Sequence, residues 1–567
     1  MSALRKESFK WVTKRPYYSS AAIAAEQWAA WKREFKAGLS LLPFYWARHV
    51  DGEMQRRGGV ESEAARGWFA GIAAAARGRL SFGASDDEIR AAAKAAAREG
   101  ADIAALADAR GGPGLLAALA AHCRAWGIDP PKGAGCGSSS DDSAVRRMLC
   151  ARWWLRRLRR AHGRRCEAAA IGAGVIRRGL WPYASQDCVA RRTAQRRRNA
   201  RALDQAAVEC AETGESLKLA DVVAGSVANP EVKRGELMVR IKGCDAIANE
   251  GGLSAEFWTL TAPSRFHAQR IIGAVAEPNP AYQGATPKEG QQYLCKVWAR
   301  ARAAWKRRGL SVFGLRTAEP HHDGCPHWHL IAYGSRRDLR YARRLLRVYA
   351  LRDSPDEPGA RRHRFVVLEA KGAKGAAYAA KYVSKNINGA GMDSERDSET
   401  GRKVSSTVER VDAWAAAWGI RQFQFFGCPS VSIWRALRRF REPVAIAGAM
   451  LERARSAADD ADFAAFWRAA VAGGLRLIWR PAAALTMYGD AAAPRIAGVC
   501  EGARRALLPV KNWVIRWAGA AKNAAGVAFD LPRSCVNNCT QQVFDPYAEA
   551  AAAVFSIVAG DDLAAAQ

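Results

Sequence analysis

The sequence predicts an α+β fold in which a central antiparallel sheet is flanked by helical N- and C-terminal regions. Short runs rich in Val, Ile, Phe, Trp and Thr recur between residues 236 and 430, and helical segments lie between them. Ala-rich stretches such as residues 88–109 favour helix before this segment, and Ala- and Arg-rich stretches favour helix after it. The 567 residues exceed what one core usually serves, so several domains are expected.

Composition divides the chain into five regions. Residues 1–128 are an Ala-rich helical N-terminal region, and residues 129–145, rich in Pro, Gly and Ser, are a linker. Residues 146–235 are a basic helical region suited to DNA binding, residues 236–430 carry the predicted sheet, and residues 431–567 are predicted to be mostly helical.

The predicted strands of the central segment are the runs LMVRIKG, EFWTLTAP, SVFGLRTAE, HWHLIAYG and RFVVLEA, with QFQFFG as a further candidate. Helices are predicted at residues 289–309, 336–351 and 375–387. Residues 388–406, with little apolar content, are predicted to be a loop.

The charge of the chain predicts a polyanionic partner. The 87 Lys and Arg residues against 55 Asp and Glu residues give a formal net charge of +32. Nucleic acid is the first candidate, because Lys and Arg neutralise phosphates, and an anionic membrane surface is the second. A solvated basic protein without such a partner is the remaining alternative.

The cysteines and the N-terminus predict a cytoplasmic protein. The 13 cysteines are odd in number and lack the dense spacing of a disulfide framework, so they are expected to be reduced. Residues 1–16 lack the apolar core of a signal peptide, and no apolar run approaches the ~18–20 residues of a membrane helix. We therefore expect no membrane partner.

Two basic helical stretches are the first candidate nucleic-acid surface. Residues 146–165 contain nine arginines and two adjacent tryptophans, and residues 190–201 are also rich in Arg. Guanidinium groups pair with phosphates and aromatic rings stack on bases. The alternative is a solvated charged face with the tryptophans in the core. The candidate DNA-binding residues here are Arg152, Trp153, Arg156, Arg160 and Arg197.

A cluster of histidines, HHDGCPHWH at residues 321–329, is the candidate metal site. On a strand, His327 and His329 point to one face while Trp328 points to the other. Glu319 precedes the turn, and in a hairpin it would return to the same face as an oxygen ligand. This mixed set suits Mg²⁺ or Mn²⁺ with positions left for a substrate phosphate.

A zinc site remains open as an alternative in the same cluster. Cys325, His321 and His322 are the residue types that zinc takes as ligands.

The run YAAKYVSK, residues 378–385, is the candidate nucleophile segment. On a helix, Tyr378, Lys381, Tyr382 and Lys385 share one face, because they are spaced by i, i+3, i+4 and i+7. An apolar stripe lies on roughly the opposite face and contains Ala376, Ala380, Val383 and Ile387. The tyrosines are therefore expected on a cationic face, which favours the phenolate. The alternative is an aromatic stripe that packs in the core.

A third element, FWTLTAPSRFHA at residues 257–268, is a strand that ends in a Pro turn, with Arg265 just beyond it as a further candidate for DNA contact.

Together, in this order, the three elements resemble the HUH endonucleases that initiate rolling-circle replication, whose name stands for His, hydrophobic residue, His. The chain is most similar to the bacteriophage replication gene A protein family, in the branch with two tyrosines. His327, Trp328 and His329 match the HUH motif, and Tyr378 and Tyr382 match the paired tyrosines. The run RQFQFFGCPSVSIWRALRR at residues 421–439 also resembles this family. The resemblance covers roughly residues 236–440.

The resemblance implies a specific reaction on single-stranded or supercoiled DNA at a replication origin. Tyr378 or Tyr382 attacks the scissile phosphorus, which gives a 5′-phosphotyrosine and a free 3′-hydroxyl that primes synthesis. The second tyrosine allows a later exchange that rejoins the strand. A bound Mg²⁺ or Mn²⁺ polarises the phosphate, and Lys381 and Lys385 offset its negative charge. The family's third metal ligand is not fixed in kind, so Glu319 is assigned here, with His321 or His322 as alternatives.

The resemblance also implies partners. A separate host helicase is expected, because the chain contains no P-loop motif. The expected location is the cytoplasm of a bacterial host cell. A plasmid relaxase or a two-tyrosine transposase would share the chemistry, and a non-enzymatic DNA-binding protein with a structural zinc is the alternative from another class.

Overall fold

The structure, a computed structural model, describes most of the chain and divides it into two units. The units are Met1–Arg90 and Ala91–Gln567. The described residues are 20–109, 114–131, 138–273, 275–369, 383, 385–387, 396–397, 400–440, 442–444, 448–482, 485–517 and 536–538.

The first unit is helical, as its Ala-rich composition predicts. It contains α1 (Ser20–Ser40), α2 (Phe44–Arg56) and α3 (Glu63–Ala76), and α4 (Asp86–Ala109) spans the boundary between the units. Its core includes Trp46 and Phe69. No helix in the described part of the chain is long and apolar enough to cross a membrane.

The basic region is also helical, and one helix begins inside the predicted linker. Helix α5 (Leu115–Ala125) precedes the linker and α6 (Ser138–Met148) begins in it, while α7 (Ala151–Gly172) and α8 (Gln186–Asp204) lie in the basic region. In α6, the polar run at 138–143 leads into buried Ala144 and Met148, and Asp141 in the first turn complements the helix dipole. The Ser-rich stretch is therefore partly a helix start.

The predicted strand LMVRIKG is wrong, because these residues belong to a helix. After β1 (Ala206–Cys210), β2 (Ser216–Lys218) and α9 (Leu219–Ala224), helix α10 runs over Pro230–Glu250. Asn229 caps it and Pro230 starts it. Leu237, Ile241, Cys244 and Ala248 are buried at helical spacing. The 3.6-residue period outweighs the local strand-favouring composition.

A five-stranded antiparallel sheet forms the centre of the second unit, and it confirms the other predicted strands. Its strands are β3 (Ser254–Thr261), β6 (Val312–Pro320), β7 (Pro326–Gly334), β8 (Phe365–Glu369) and β9 (Phe423–Phe426). The order is β8-β3-β7-β6-β9. A separate hairpin, β4 (Gln269–Ile272) and β5 (Val275–Pro278), follows β3 in the chain.

Two predicted helices cover one face of this sheet. They are α11 (Pro287–Arg307) and α12 (Arg336–Ala350). Trp258 and Trp328 point from the sheet into this layer, where Trp258 meets Trp305 and Trp328 meets Trp298. The Trp305 indole donates a hydrogen bond to the Ala342 carbonyl at 3.1 Å, which ties the two helices together.

The opposite face of the sheet packs on helices that follow it and precede it in the chain. After α13 (Ala360–His363) and α14 (Val408–Trp418) come α15 (Val431–Leu437), α16 (Ala449–Asp459) and α17 (Phe463–Ala472). Together with α10, the last three form a core with Phe313, Leu315, Ile331 and Tyr333 of the sheet. The fold class is therefore α+β, as predicted.

The C-terminal region differs from its prediction, because strands replace helix after Ala472. They are β10 (Arg476–Arg480), β11 (Arg495–Glu501), β12 (Arg504–Leu507), β13 (Lys511–Trp517) and β14 (Val536–Asn538). Strands β10, β11 and β13 each contain at least two residues of the types Ile, Val and Trp, which favour strand. Gly502, with φ of +58°, makes the tight turn between β11 and β12. Strand β13 pairs with β1, far back in the chain.

Gly314 fixes the register in which β6 and β7 pair. Its φ is +154°, and a Cβ at this position would lie 1.9 Å from the Ile331 carbonyl oxygen of the neighbouring strand. We expect Gly314→Ala to lower the free energy of unfolding by about 3 kcal/mol or more, because neither backbone can move away without breaking the ladder. Chemical denaturation followed by tryptophan fluorescence measures this.

The control is Gly235→Ala in α10, where a Cβ would have no neighbour within 4 Å. Alanine favours helix over glycine by up to about 1 kcal/mol, so this variant should be as stable as the parent or more so. Equal stability of the two variants would contradict the constraint at Gly314.

Candidate active site

The hairpin of β6 and β7 brings three candidate metal ligands together. In the antiparallel register, His327 lies opposite Glu319, and His329 lies opposite Thr317, so all four side chains share one face. The Nε2 atoms of His327 and His329 are 2.8 Å apart, and His329 Nε2 is 3.9 Å from Glu319 Oε2. Among the described residues, Glu319, His327 and His329 form the one group of three whose ligand atoms all lie within 4.8 Å of each other.

Trp328, between the two histidines, points to the other face as the alternation predicts. Its indole donates to Gln291 Oε1 at 2.9 Å, and the Arg316 guanidinium lies over its ring. Trp328 is fully buried. The alternation thus separates a polar face that carries the ligands from an apolar face that anchors the strand.

Neighbouring groups orient the two imidazoles. Thr259 Oγ1 on β3 is 3.2 Å from His329 Nδ1, which leaves His329 Nε2 for the ligand position. His327 stacks on the ring of His321, with 3.9 Å between ring centroids. His327 Nδ1 is buried and has no hydrogen-bond partner within the described residues.

The electrostatics favour the neutral, metal-binding form of His327. Burial lowers the pKa of His327 well below its usual range, and the nearby His321, His329 and Lys385 lower it further. A neutral imidazole offers a lone pair to a cation, whereas an imidazolium does not. The residues present therefore fit a divalent ion with nitrogen and oxygen ligands.

Lys385 connects the predicted tyrosine segment to this site. Residues 385–387 are helical. Lys385 Nζ lies 3.0 Å from Glu319 Oε2 and 3.4 Å from Asp397 Oδ2. The Asn386 side-chain amide donates to the other Glu319 oxygen, Oε1. The end of the tyrosine segment is therefore adjacent to the histidine strand. From the sequence, only the family resemblance related these two segments.

Two residues near Lys385 were not predicted from the sequence: Asp397, which contacts Lys385, and Tyr183, which contacts Asp397. Asp397 is 2% exposed and accepts a hydrogen bond from the Tyr183 hydroxyl at 2.7 Å. Tyr183 has φ of +75°, and its amide donates to the His322 carbonyl at 3.2 Å. Asp397 lies in a stretch predicted as a loop, and Tyr183 lies 136 positions before Glu319, so no local pattern marked either residue.

The buried charged side chains at the site carry a net negative charge. Glu319 and Asp397 each contribute one negative charge and Lys385 contributes one positive charge, and all three side chains are buried. The sum is one negative charge, so a divalent cation would leave one positive charge on the site. That charge matches the single negative charge of a phosphodiester.

Three other residues of the tyrosine segment, Tyr378, Lys381 and Tyr382, lie outside the described residues, as do Ala376 and Ala380 of its apolar stripe. Val383 and Ile387, the other two members of that stripe, pack in the core beneath the sheet. The described end of the segment therefore has its apolar side in the core and Lys385 against Glu319.

The other polar residues of the histidine cluster stabilise the turn between β6 and β7. His322 Nδ1 accepts from the Arg178 amide at 3.4 Å. Asp323 accepts from the Cys325 amide at 3.0 Å and lies 3.3 Å from His267 Nδ1. Burial opposes ionisation of Asp323, but neighbouring His267 holds its pKa below the usual range. Cys325 and His322 thus have local partners, and neither belongs to the three-ligand group in the described chain.

The predicted DNA-binding residues have different environments. Arg152, Arg156 and Arg197 are exposed and Arg160 is half-buried. Trp153 is 2% exposed and packs edge-on against Trp154, so its ring is in the core, where it cannot stack on a base.

Arg265 has a protein partner. Its guanidinium forms a two-pronged ion pair with Asp353 and lies over the Phe266 ring. The ion pair raises the pKa of Arg265 and neutralises its charge locally.

Comparison with known proteins relates the chain to phage replication proteins. Residues 115–390 match the family described as bacteriophage replication gene A protein (GPA). The chain is 37% identical over 425 residues, 71% of its length, to the replication gene A protein of Escherichia phage 186. It is 38% identical over 333 residues, 57% of its length, to the replication gene A protein of Escherichia phage P2.

A third relative is a probable replication endonuclease from a prophage-like region of Salmonella paratyphi A, 37% identical over 298 residues, 52% of the chain. The matches span 60% of the phage 186 protein, 44% of the phage P2 protein and 37% of the Salmonella protein. No solved structure matches the chain. The matched residues include the histidine strand and the segment that ends in Lys385, and the chain belongs to the bacteriophage replication gene A protein family.

Proposed function

We propose that this protein is a replication initiation endonuclease of a phage or prophage that nicks single-stranded DNA at an origin. The observation that carries the proposal is the convergence of Glu319, His327 and His329 with Lys385, the last residue of the tyrosine segment. The printed name of the Salmonella relative, a probable replication endonuclease, supports the same activity. Cleavage would occur in the cytoplasm of the bacterial host.

Glu319, His327 and His329 would hold the divalent ion, Mg²⁺ or Mn²⁺. When bound, the ion would polarise the non-bridging oxygens of the scissile phosphate. Thr259 fixes the orientation of His329, and Asn386 holds the Glu319 carboxylate. Burial of these ligands keeps competing water away and strengthens their electrostatic interactions.

The chemical step is a transesterification. The phenolic oxygen of Tyr378 or Tyr382 forms a bond to phosphorus, and the bond from phosphorus to the 3′-oxygen breaks. The proton leaves the phenol, and the 3′-oxygen takes up a proton to become a free hydroxyl. The phosphodiester energy is retained in the 5′-phosphotyrosine. The second tyrosine can therefore cut the regenerated origin in the same way, and the 3′-hydroxyl that this cut frees attacks the first phosphotyrosine, which rejoins the strand and releases the first tyrosine.

The lysines take two different roles. Lys381 is proposed to offset the charge of the phosphorane. Lys385 is occupied by Glu319 and Asp397, so we assign it a positioning role that holds the Glu319 carboxylate on the ligand side of the sheet. Unwinding is assigned to a separate host helicase.

The ligand assignment predicts the pattern of metal affinity. We expect His327→Ala or His329→Ala to weaken Mn²⁺ binding by at least ~100-fold, because loss of a neighbour that only supports a ligand already costs about 10–100-fold. Isothermal titration calorimetry without DNA measures this. His322→Ala is the matched control and should retain the affinity, since its ring bonds a backbone amide. Equal losses in all three variants would contradict the assignment.

The tyrosine assignment predicts a covalent product. Incubation with Mg²⁺ or Mn²⁺ and single-stranded or supercoiled origin DNA should give a protein–DNA adduct on a denaturing gel. The Tyr378→Phe/Tyr382→Phe double variant should give none, because no phenol remains to attack, while Tyr349→Phe on α12 should form the adduct normally. An adduct that survives in the double variant would rule out these nucleophiles.

The buried charges predict that the stabilising effect of a bound metal ion depends on Lys385. Lys385→Met should destabilise the metal-free protein by about 3–5 kcal/mol, because it removes the cation that pairs with two buried carboxylates. Mn²⁺ should then raise the melting temperature more in this variant than in the parent, since the ion replaces the missing positive charge. Lys242→Met, at an exposed position of α10, is the control and should change neither quantity. Melting followed by circular dichroism decides the outcome.

A further inference from the structure

The outer surface of α11 and α12 is strongly basic, although no sequence motif marks it. Three exposed cations on α11 and three on α12 form the basic patch: Arg302, Lys306, Arg307, Arg337, Arg340 and Arg344. The C-terminal end of α11 lies beside the start of α12, as the hydrogen bond from the Ser311 amide to Asp338 at 3.2 Å shows. The two sets of cations are therefore neighbours on one surface.

The cations of the basic patch have no acidic partners in the described part of the chain. The acids of these two helices are used elsewhere, since Glu289 caps the start of α11 and Asp338 bonds Ser335 and Ser311 at the start of α12. By contrast, the inward-leaning Arg343 of α12 has a partner in Glu256, at 2.8 Å.

This arrangement costs stability. Arg337, Arg340 and Arg344 follow each other at i, i+3 and i+7 on α12, and like charges at such spacings destabilise a helix by about 0.2–0.5 kcal/mol per pair. Arg337 also lies in the first turn, where the helix dipole disfavours a cation. A polyanion would remove both penalties.

We propose that the basic patch binds the phosphate backbone of duplex DNA. Arg337, Arg340 and Arg344 span about 10 Å of α12, the distance that about three phosphates cover along one strand of a duplex. A single-strand site instead combines basic groups with stacking aromatic rings. On the outer side of these helices only Tyr341 is an exposed aromatic residue among those described, so phosphate contacts dominate.

The position of the patch separates it from the cutting site. Residues Trp258 and Trp328 face the α11–α12 layer, whereas His327 and His329 face the other way. The sheet and one helical layer, about 10 Å thick, therefore lie between the basic patch and the metal ligands. Duplex on the patch would flank the origin while the single strand is cut on the far side. This inference rests on the proposed function, because it takes DNA as the partner.

The test compares two charge reversals of equal size. One variant is Arg337→Glu/Arg340→Glu/Arg344→Glu, and the control is Arg480→Glu/Arg504→Glu/Arg505→Glu, three exposed positions on β10 and β12. Both are made in a His327→Ala/His329→Ala background. Affinity for a 20-base-pair duplex is measured by fluorescence anisotropy against salt concentration, without divalent ions.

The slope of log affinity against log salt concentration decreases in magnitude by about 0.9 for every phosphate that the protein no longer neutralises. The α12 variant gives up three such cations, so its slope should be smaller by about 2.7, while the slope of the control should match that of the background. An equal change of slope in both variants, or a change in neither, would overturn the proposal.

A measurement on single-stranded DNA and a substitute variant complete the test. An equal decrease of affinity for a single strand of the same length would overturn the preference for duplex. If the α12 variant melts early, Arg337→Gln/Arg340→Gln/Arg344→Gln replaces it with the same expected slope.

The background variant separates this inference from the proposed function. Duplex binding is read without cleavage, so a failure of the parent protein to nick DNA would refute the proposed function and leave the duplex result intact. If the parent protein nicks DNA but the α12 variant has an unchanged salt slope, the duplex-binding proposal is refuted and the proposed function stands.

Discussion

The register between β6 and β7 is the constraint on which the site depends. It sets Glu319 opposite His327 and places both on the face that Lys385 reaches. A shift of one residue would turn the histidines into the tryptophan layer under α11 and α12, and would bring Trp328 to the ligand side. The close approach of Gly314 to Ile331 opposes such a shift. Packing and chemistry are therefore fixed by the same backbone pairing.

Buried charge is the second organising feature. Three ionised side chains beside two imidazoles would be costly in a stable core, and each requires the others to be in place. In the described network every carboxylate oxygen of Glu319 has a donor, and Lys385 lies between Glu319 and Asp397. Such a network favours one arrangement of strand, helix and loop over others.

Much of this could be predicted from the sequence, for identifiable physical reasons. Strand alternation was sufficient to place His327, His329 and Glu319 on one face, because the period of two is a local property. The same local reasoning failed at LMVRIKG, where burial at helical spacing in α10 outweighed composition, and beyond Ala472, where Ala-rich sequence gives way to strands. Asp397 and Tyr183 were not predictable, because their roles arise only when segments distant in sequence meet. The burial of Trp153 likewise depends on tertiary packing.

The hydrogen bond from Tyr183 to Asp397 has a consequence for the boundaries of the part of the chain that holds the candidate site. Tyr183 lies in the basic region, before the predicted start of the sheet segment at residue 236, yet its hydroxyl and amide reach Asp397 and His322. Trp414 similarly donates to the Gly324 carbonyl across the turn. A fragment that starts at residue 236 would lack the hydroxyl that supports Asp397 and, through it, Lys385. The smallest fragment that keeps this network must therefore extend upstream past α8 to Tyr183, so that part of the basic region supports the site and is not a detachable tether.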